Sequence, residues 1–155
     1  MNIRKAEIKD AQRIGELLKA IAKLHHDGRP DVYEDCAKYN IKDVEKMIKD
    51  ETKYIFSAVD DNDFVMGYVI CYITERNFFN TNGKRNTMYV DDLCVDEKFR
   101  HQNIGKLLMQ KASENAKAQG CYNLELNVWS FNENAVKFYE SCGMLEQRRI
   151  MEIIL

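Results

Sequence analysis

The chain has 155 residues, 31% of them charged and 45% hydrophobic, with a single proline and a formal net charge of -2. That length suits one domain able to bury roughly 70% of the surface its unfolded form exposes, and so even a mixture of charges gives no electrostatic reason to propose nucleic acid as a partner. The five cysteines (Cys36, Cys71, Cys94, Cys121, Cys142) form no C-x-x-C pair, which reads as reduced thiols and no metal site. The charged N-terminus and the absence of any ~20-residue apolar run predict no signal peptide, no membrane span and a cytoplasmic location.

In chain order, Asn2 to Ala6 alternates as a strand does, and Asp10 then caps a helix whose apolar positions Ile14, Leu17, Leu18, Ile21 and Leu24 recur at helical spacing. Gly28 and Pro30 interrupt that pattern, so His25 to Asp35 is expected to be a loop, either a lid on the acceptor side or an exposed connector. Ile41 to Lys49 is a second helix with Ile41, Val44, Met47 and Ile48 on one face. Tyr54 to Val59 and Phe64 to Thr74, rich in β-branched and aromatic residues and joined by Asp60 to Asp63, predict an antiparallel hairpin. A polar stretch with the turn signal Asn82-Gly83 follows. Then come a strand (Met88 to Val95), a helix (Ile104 to Gln119), a strand (Asn123 to Val128), a helix (Asn132 to Cys142) and a last strand from about Glu146 to Ile154. The order β-α-α-β-β-β-α-β-α-β, without repeats or linker, predicts a single α/β (α+β) domain over 1–155 around a mixed, largely antiparallel sheet.

The chemistry concentrates between Met88 and Gly120. The helix that starts at Ile104 follows directly on Arg100-His101-Gln102-Asn103, so unpaired backbone N–H groups, the positive end of the dipole and two cations, Arg100 and Lys106, converge on one turn. Such a turn suits phosphate. Gly105 would let backbone and ligand approach closely, and Asn103 is among the few non-glycine residues that tolerate positive φ. A second constellation is Asn132-x-x-Ala135-x-x-Phe138-Tyr139-x-x-x-Gly143, with Asn132 at a helix N-terminus, Gly143 at its stop and Tyr139 able to point back toward a cleft.

Together VDEKFRHQNIGKLL (95–108) and NENAVKFYESCGM (132–144) resemble the acetyl-CoA motif and the C-terminal motif of the GNAT superfamily of N-acetyltransferases. The acidic pair Asp91-Asp92 and the FY helix look most like its polyamine and small-amine acetyltransferase branch. The departures are Asn103 in place of the first family glycine, His101 where relatives often carry glycine, and Met144 for a phenylalanine.

The resemblance implies a GNAT fold and an acetyl-CoA-dependent transfer to a primary amine of a small, cationic molecule, with no metal and a homodimeric assembly. Acetyl-CoA would lie between two splayed strands, its pantetheine arm along Leu93, Cys94 and Val95. Its pyrophosphate would sit on His101, Gln102, Asn103, Ile104, Gly105 and Lys106, with Arg100 and Asn132 beside it. Tyr139 would protonate the departing thiolate, as the family's tyrosine at this position does. An alkylamine is mostly protonated at neutral pH, so a base is needed. Successive strand residues face opposite sides, so one of Asp91 and Asp92 would face the acceptor; the small-amine branch favours Asp91 as base, and the alternative is that the pair only attracts the substrate. Cys94 is read as a packing residue. Two other functions remain open at this point, acetylation of a protein N-terminus or lysine, and a non-catalytic acyl-CoA-binding regulatory module.

Overall fold

The computed structural model describes residues 1–76 and 85–155, so the Asn82-Gly83 turn lies outside the described residues. Its elements are β1 (Asn2–Lys5), α1 (Ala11–Gly28), α2 (Ile41–Lys49), β2 (Lys53–Val59), β3 (Val65–Arg76), β4 (Arg85–Val95), α3 (Ile104–Ala118), β5 (Asn123–Glu125) and α4 (Glu133–Ser141), with 3-10 turns at Ile8–Asp10 and Glu97–Phe99. The strands form one sheet in the order β1-β2-β3-β4-β5. The first four are antiparallel and β5 runs parallel to β4, as a strand reached through a crossover helix must.

Period-two alternation divides the sheet's side chains between two cores. Ile55, Val59, Val65, Tyr68 and Ile70 face α1 and α2, meeting Ile14, Leu17, Leu18 and Val44. Phe56, Ala58, Val69, Cys71, Met88 and Val90 face α3, meeting Ile104, Leu108, Ala112 and Ala116, which lie one turn apart along one side of that helix. No helix among the described residues is long and apolar enough to cross a membrane.

Three elements differ from expectation. Helix α1 runs through His25 and His26 to Gly28, because the helix needs to stop only before Pro30, which excludes the helical conformation from the residue ahead of it. A Cβ at Gly28 would run into the Phe131 ring, so a larger residue there would have to push that ring aside. Strand β5 ends at Glu125, short of Val128, and the last strand does not form. Leu145, Ile150, Met151, Ile153 and Ile154 are exposed, and no sheet partner among the described residues supplies the ladder a strand needs.

Asp10 also departs from its expected role, since its carboxylate does not cap α1. It accepts two hydrogen bonds from the Arg4 guanidinium (2.7 and 3.0 Å), one from the Glu7 N–H (2.8 Å) and one from the Ser57 hydroxyl (3.1 Å), and so ties β1, β2 and the start of α1 together. Burial opposes its charge, but these donors outweigh it and hold the carboxyl below its ordinary range. Asp10→Ala leaves a guanidinium with only part of its partners and is expected to cost about 3–5 kcal/mol in urea unfolding. In the wild type this contribution is present above the ordinary carboxylate value and is lost as pH falls through the depressed one.

Candidate functional site

The pairing of β4 with β5 covers Thr87↔Asn123, Met88↔Leu124 and Tyr89↔Glu125 and then ends. Beyond it β4 continues to Val95 with β3 alone as partner, from Ile70↔Asp92 to Gly67↔Val95. The edge of β4 that carries Leu93, Cys94 and Val95 therefore has no strand partner on the β5 side among the described residues, which leaves a gap between the two strands beyond Glu125.

At one end of this gap lies the turn into α3. Asp96 accepts from the Lys98 N–H and opens the short 3-10 turn, and Arg100 reaches back to the Val95 carbonyl at 3.4 Å and to Glu97 at 3.2 Å. His101 (φ 63°) and Asn103 (φ 62°) both lie in the left-handed region, so they hold the backbone conformation that glycine adopts freely. Asn103 is the residue preceding α3, and the helix's first backbone hydrogen bond runs from Leu107 N–H to the Asn103 carbonyl. The N–H groups of Ile104, Gly105 and Lys106 thus point out of the helix start. Gly105 serves packing, because a Cβ there would meet the Phe138 ring of α4 at 2.9 Å. The close approach expected of it is made to a protein ring.

Asp91 and Asp92 do not alternate. Val90 stands opposite Cys71 and Asp92 opposite Ile70, so Asp91 is the extra residue of a β-bulge. A bulge turns two successive side chains toward one face, and both aspartates reach partners on the α1–α2 side. Asp91 accepts from Lys38 Nζ at 2.6 Å and from the Tyr39 hydroxyl at 2.8 Å, with its side chain 6% exposed. Burial works against the charge on Lys38, but the bond to Asp91 prevails and raises its pKa. Asp92 accepts from the Tyr68 hydroxyl at 3.0 Å. Desolvation, opposed by that hydrogen bond and reinforced by the neighbouring Asp91 charge, pushes its carboxyl from 3.8 up to about 6. Asp91, the base favoured from the sequence, is thus already paired with a lysine, while Asp92 is a carboxylate whose proton affinity burial has raised.

Tyr139 enters from α4. Asn132 caps this helix by accepting from the Ala135 N–H at 3.2 Å, and Gly143 (φ 85°) ends it. The Tyr139 hydroxyl donates to no described residue, and desolvation, followed by the charges of Asp92, Cys142 and Cys94, raises its pKa so that it stays protonated at any physiological pH. Burial likewise pushes the Cys94 thiol to about 12, which leaves it a packing group with no nucleophilic thiolate.

A groove of about 470 Å³ opens beside Asp91, walled by Tyr72 and Tyr89 and lined by Lys38, Thr74, Glu75, Asn127 and Arg148. The two tyrosine rings lie 5.4 Å apart, and Asn127 donates to the Tyr89 hydroxyl. The connection between α1 and α2 that brings Lys38 and Tyr39 here is anchored on aromatic rings. Trp129 donates to the Tyr33 hydroxyl at 2.7 Å, and Tyr33 stacks on His25. Sequence reasoning missed Lys38, Tyr39, Tyr68, Tyr72, Thr74, Glu75, Tyr89, Asn127 and Arg148, since none stands in a motif and each is brought in by the fold.

Residues 18–144 match the acetyltransferase (GNAT) family. The chain belongs to that family. A glucosamine 6-phosphate N-acetyltransferase from Arabidopsis thaliana is 28% identical over 149 residues, 92% of this chain and 88% of the relative. A thialysine N-epsilon-acetyltransferase from Bos taurus is 32% identical over 79 residues, 51% of this chain and 44% of the relative. Among solved structures, a Bacillus halodurans protein, BH1408, superposes with a TM-score of 0.93 at 29% identity over 100% of this chain and 99% of that one. The protein is an acyl-CoA-dependent N-acetyltransferase, and its family draws the acetyl group from acetyl-CoA. The free edge of β4 and the outward N–H groups at the α3 turn fit such a donor, offering a strand edge to an amide-bearing arm and a helix start to phosphate.

Proposed function

We propose that this GNAT enzyme acetylates a primary amine of a small molecule that reaches the site as an ammonium ion. The donor would bind along Leu93, Cys94 and Val95 and on the turn from Arg100 to Lys106, with the Asn132 side chain at the start of α4 beside it. The observation that carries the reading is that Tyr139 stands near enough to Asp92 and Cys94, on the part of β4 that β5 leaves unpaired, for their charges to act on it, which brings one desolvated carboxylate and one protonated phenol together. Acetyl-CoA supplies a thioester whose acyl group passes to the amine with release of the thiol. Asp92 takes a proton from the arriving ammonium and so frees the nitrogen lone pair for attack, a role its raised proton affinity suits better than an ordinary carboxylate, and the second proton shed as the amide forms replaces the one Tyr139 gives to sulfur. Tyr139 gives a proton to the leaving sulfur. Asp91 holds Lys38 and Tyr39 over the acceptor entrance. The names of the Arabidopsis and bovine relatives, which specify glucosamine 6-phosphate and thialysine, support a small-molecule acceptor.

The same reading includes a cytoplasmic homodimer formed by one domain. Its support is the patch of apolar side chains between Leu145 and Leu155 that lies on the surface, of the kind that marks protein contacts.

Coenzyme A is expected to raise the melting temperature, since at a hundredfold excess over Kd a ligand stabilises by about 2.7 kcal/mol. Calorimetry checks the binding, and thiol release against a panel of amines checks the transfer. Absence of any thermal shift at saturating coenzyme A would remove the donor site from this turn.

A further inference from the structure

The acceptor groove holds four charged side chains, Asp91, Glu75, Lys38 and Arg148, and they are not equally committed. Asp91 is held by Lys38 and Tyr39. Glu75 is itself engaged. Arg148, exposed on the segment after α4, makes no ion pair or hydrogen bond with any described residue, and it has left the sheet with the rest of that segment. The groove's uncommitted charge is therefore positive, although two acids line it. A second polar group faces the same way in chemical terms: the Thr74 hydroxyl of the groove wall is buried and has no hydrogen-bond partner among the described residues. A buried hydroxyl without a partner is costly, and a bound oxyanion relieves that cost by accepting from it. Guanidinium is the side chain whose planar fork matches a carboxylate or phosphate.

Resting on the transferase reading above, we propose that the acceptor carries, besides its reacting amine, an anionic group that binds Arg148 in this groove, with the Thr74 hydroxyl as a further donor. The substrate class is then an amine bearing a carboxylate or phosphate, a zwitterion in place of a simple polycation. Arg148 acts as a specificity residue, remote from the acyl transfer. The groove's volume, about 470 Å³, is enough for a small amino acid or an amino sugar phosphate and too small for a folded protein surface.

The test uses matched pairs of amines that differ only in the anion, lysine against 1,5-diaminopentane and glucosamine 6-phosphate against glucosamine, with thiol release as the readout. The wild-type enzyme is expected to favour the anion-bearing member of at least one pair by roughly 10- to 100-fold in kcat/KM, the range of a hydrogen bond to a charged group. The advantage should lie in KM. The lysine and glucosamine arms tell carboxylate from phosphate. In Arg148→Gln the ratio within the favoured pair should fall toward one, with the loss again in KM, and Arg148→Lys should restore part of it. Equal use of both members, or an Arg148→Gln variant that lowers kcat alike for both, overturns the proposal. So does turnover of the anion-free amines alone, or coenzyme A binding with no turnover of any anion-bearing amine. Failure of coenzyme A to bind at all overturns the transferase reading itself, and this inference with it.

Discussion

In an Asp92→Asn variant, kcat is expected to fall by roughly 10²–10⁴-fold, the usual contribution of a positioned general base, while the protein becomes more stable. Both follow from one environment. The wild-type carboxyl is shifted from 3.8 to about 6 mainly by desolvation, so the fold prefers it neutral. Because the folded value lies above the unfolded one, the native state gives up stability as pH climbs from about 4 through about 6, and the loss is complete at neutral pH. That displacement corresponds to roughly 3 kcal/mol. Asparagine keeps an oxygen for the Tyr68 hydroxyl and carries no charge, so the penalty disappears. For a chain of this size each kcal/mol moves the melting temperature by about 2–4 °C, and a rise of several degrees at pH 7.5 is expected by scanning calorimetry. The wild-type rate should increase as pH passes about 6, where Asp92 becomes able to accept a proton, and that limb should be missing from the residual activity of the variant. Asp91→Asn provides the contrast. It releases Lys38 and Tyr39, so its effect should appear first in KM for the amine. If Asp91→Asn loses the limb near pH 6 and Asp92→Asn keeps it, the roles of the two residues are reversed.

What the sequence revealed of this site and what it hid follow a physical line. Asn103 was legible as a positive-φ position because that tolerance belongs to its own side chain, and the start of α3, the cap at Asn132 and the stop at Gly143 are likewise local chemistry. The Ile14, Leu17, Leu18 and Ile21 stripe of α1 was legible because a single helix face obeys one period. The side to which Asp91 and Asp92 point was not, since alternation holds only while the register holds, and the bulge is a property of β4 against β3. Lys38 lies 53 residues from Asp91, in a connection without a periodic pattern, and nothing local announces the pair. Gly105 illustrates a different limit: the sequence marked a place where something comes close, and only the fold says that Phe138 is what does so. The segment from Glu146 to Ile154 has a strand's composition, but a strand exists only with a neighbour to hydrogen-bond, and β5 pairs with β4 through just three residues before the two diverge.

Tyr139→Phe is expected to lower kcat by roughly 10²–10⁴-fold while leaving coenzyme A affinity unchanged, because it removes one hydroxyl and keeps the ring that packs beside Phe138. The size within that range depends on the leaving group. A free thiol has a pKa of about 8.5, so its thiolate departs tolerably without help, and the lower end applies where thiolate departure does not limit the rate. The environment argues for an acid over a base. Desolvation first, then the nearby Asp92 charge, raises the phenol pKa, so the wild-type pH profile should show no loss of activity from Tyr139 ionising below pH 9. Stability of the variant should stay the same or rise slightly, since the hydroxyl has no partner among the described residues for its removal to leave unsatisfied. Steady-state kcat with the best amine, set against coenzyme A affinity by calorimetry, decides the matter. An unchanged kcat would take Tyr139 out of the mechanism, whereas a collapse of coenzyme A affinity with kcat preserved would make the phenol a donor-binding group, leaving thiolate departure to proceed without a protein acid.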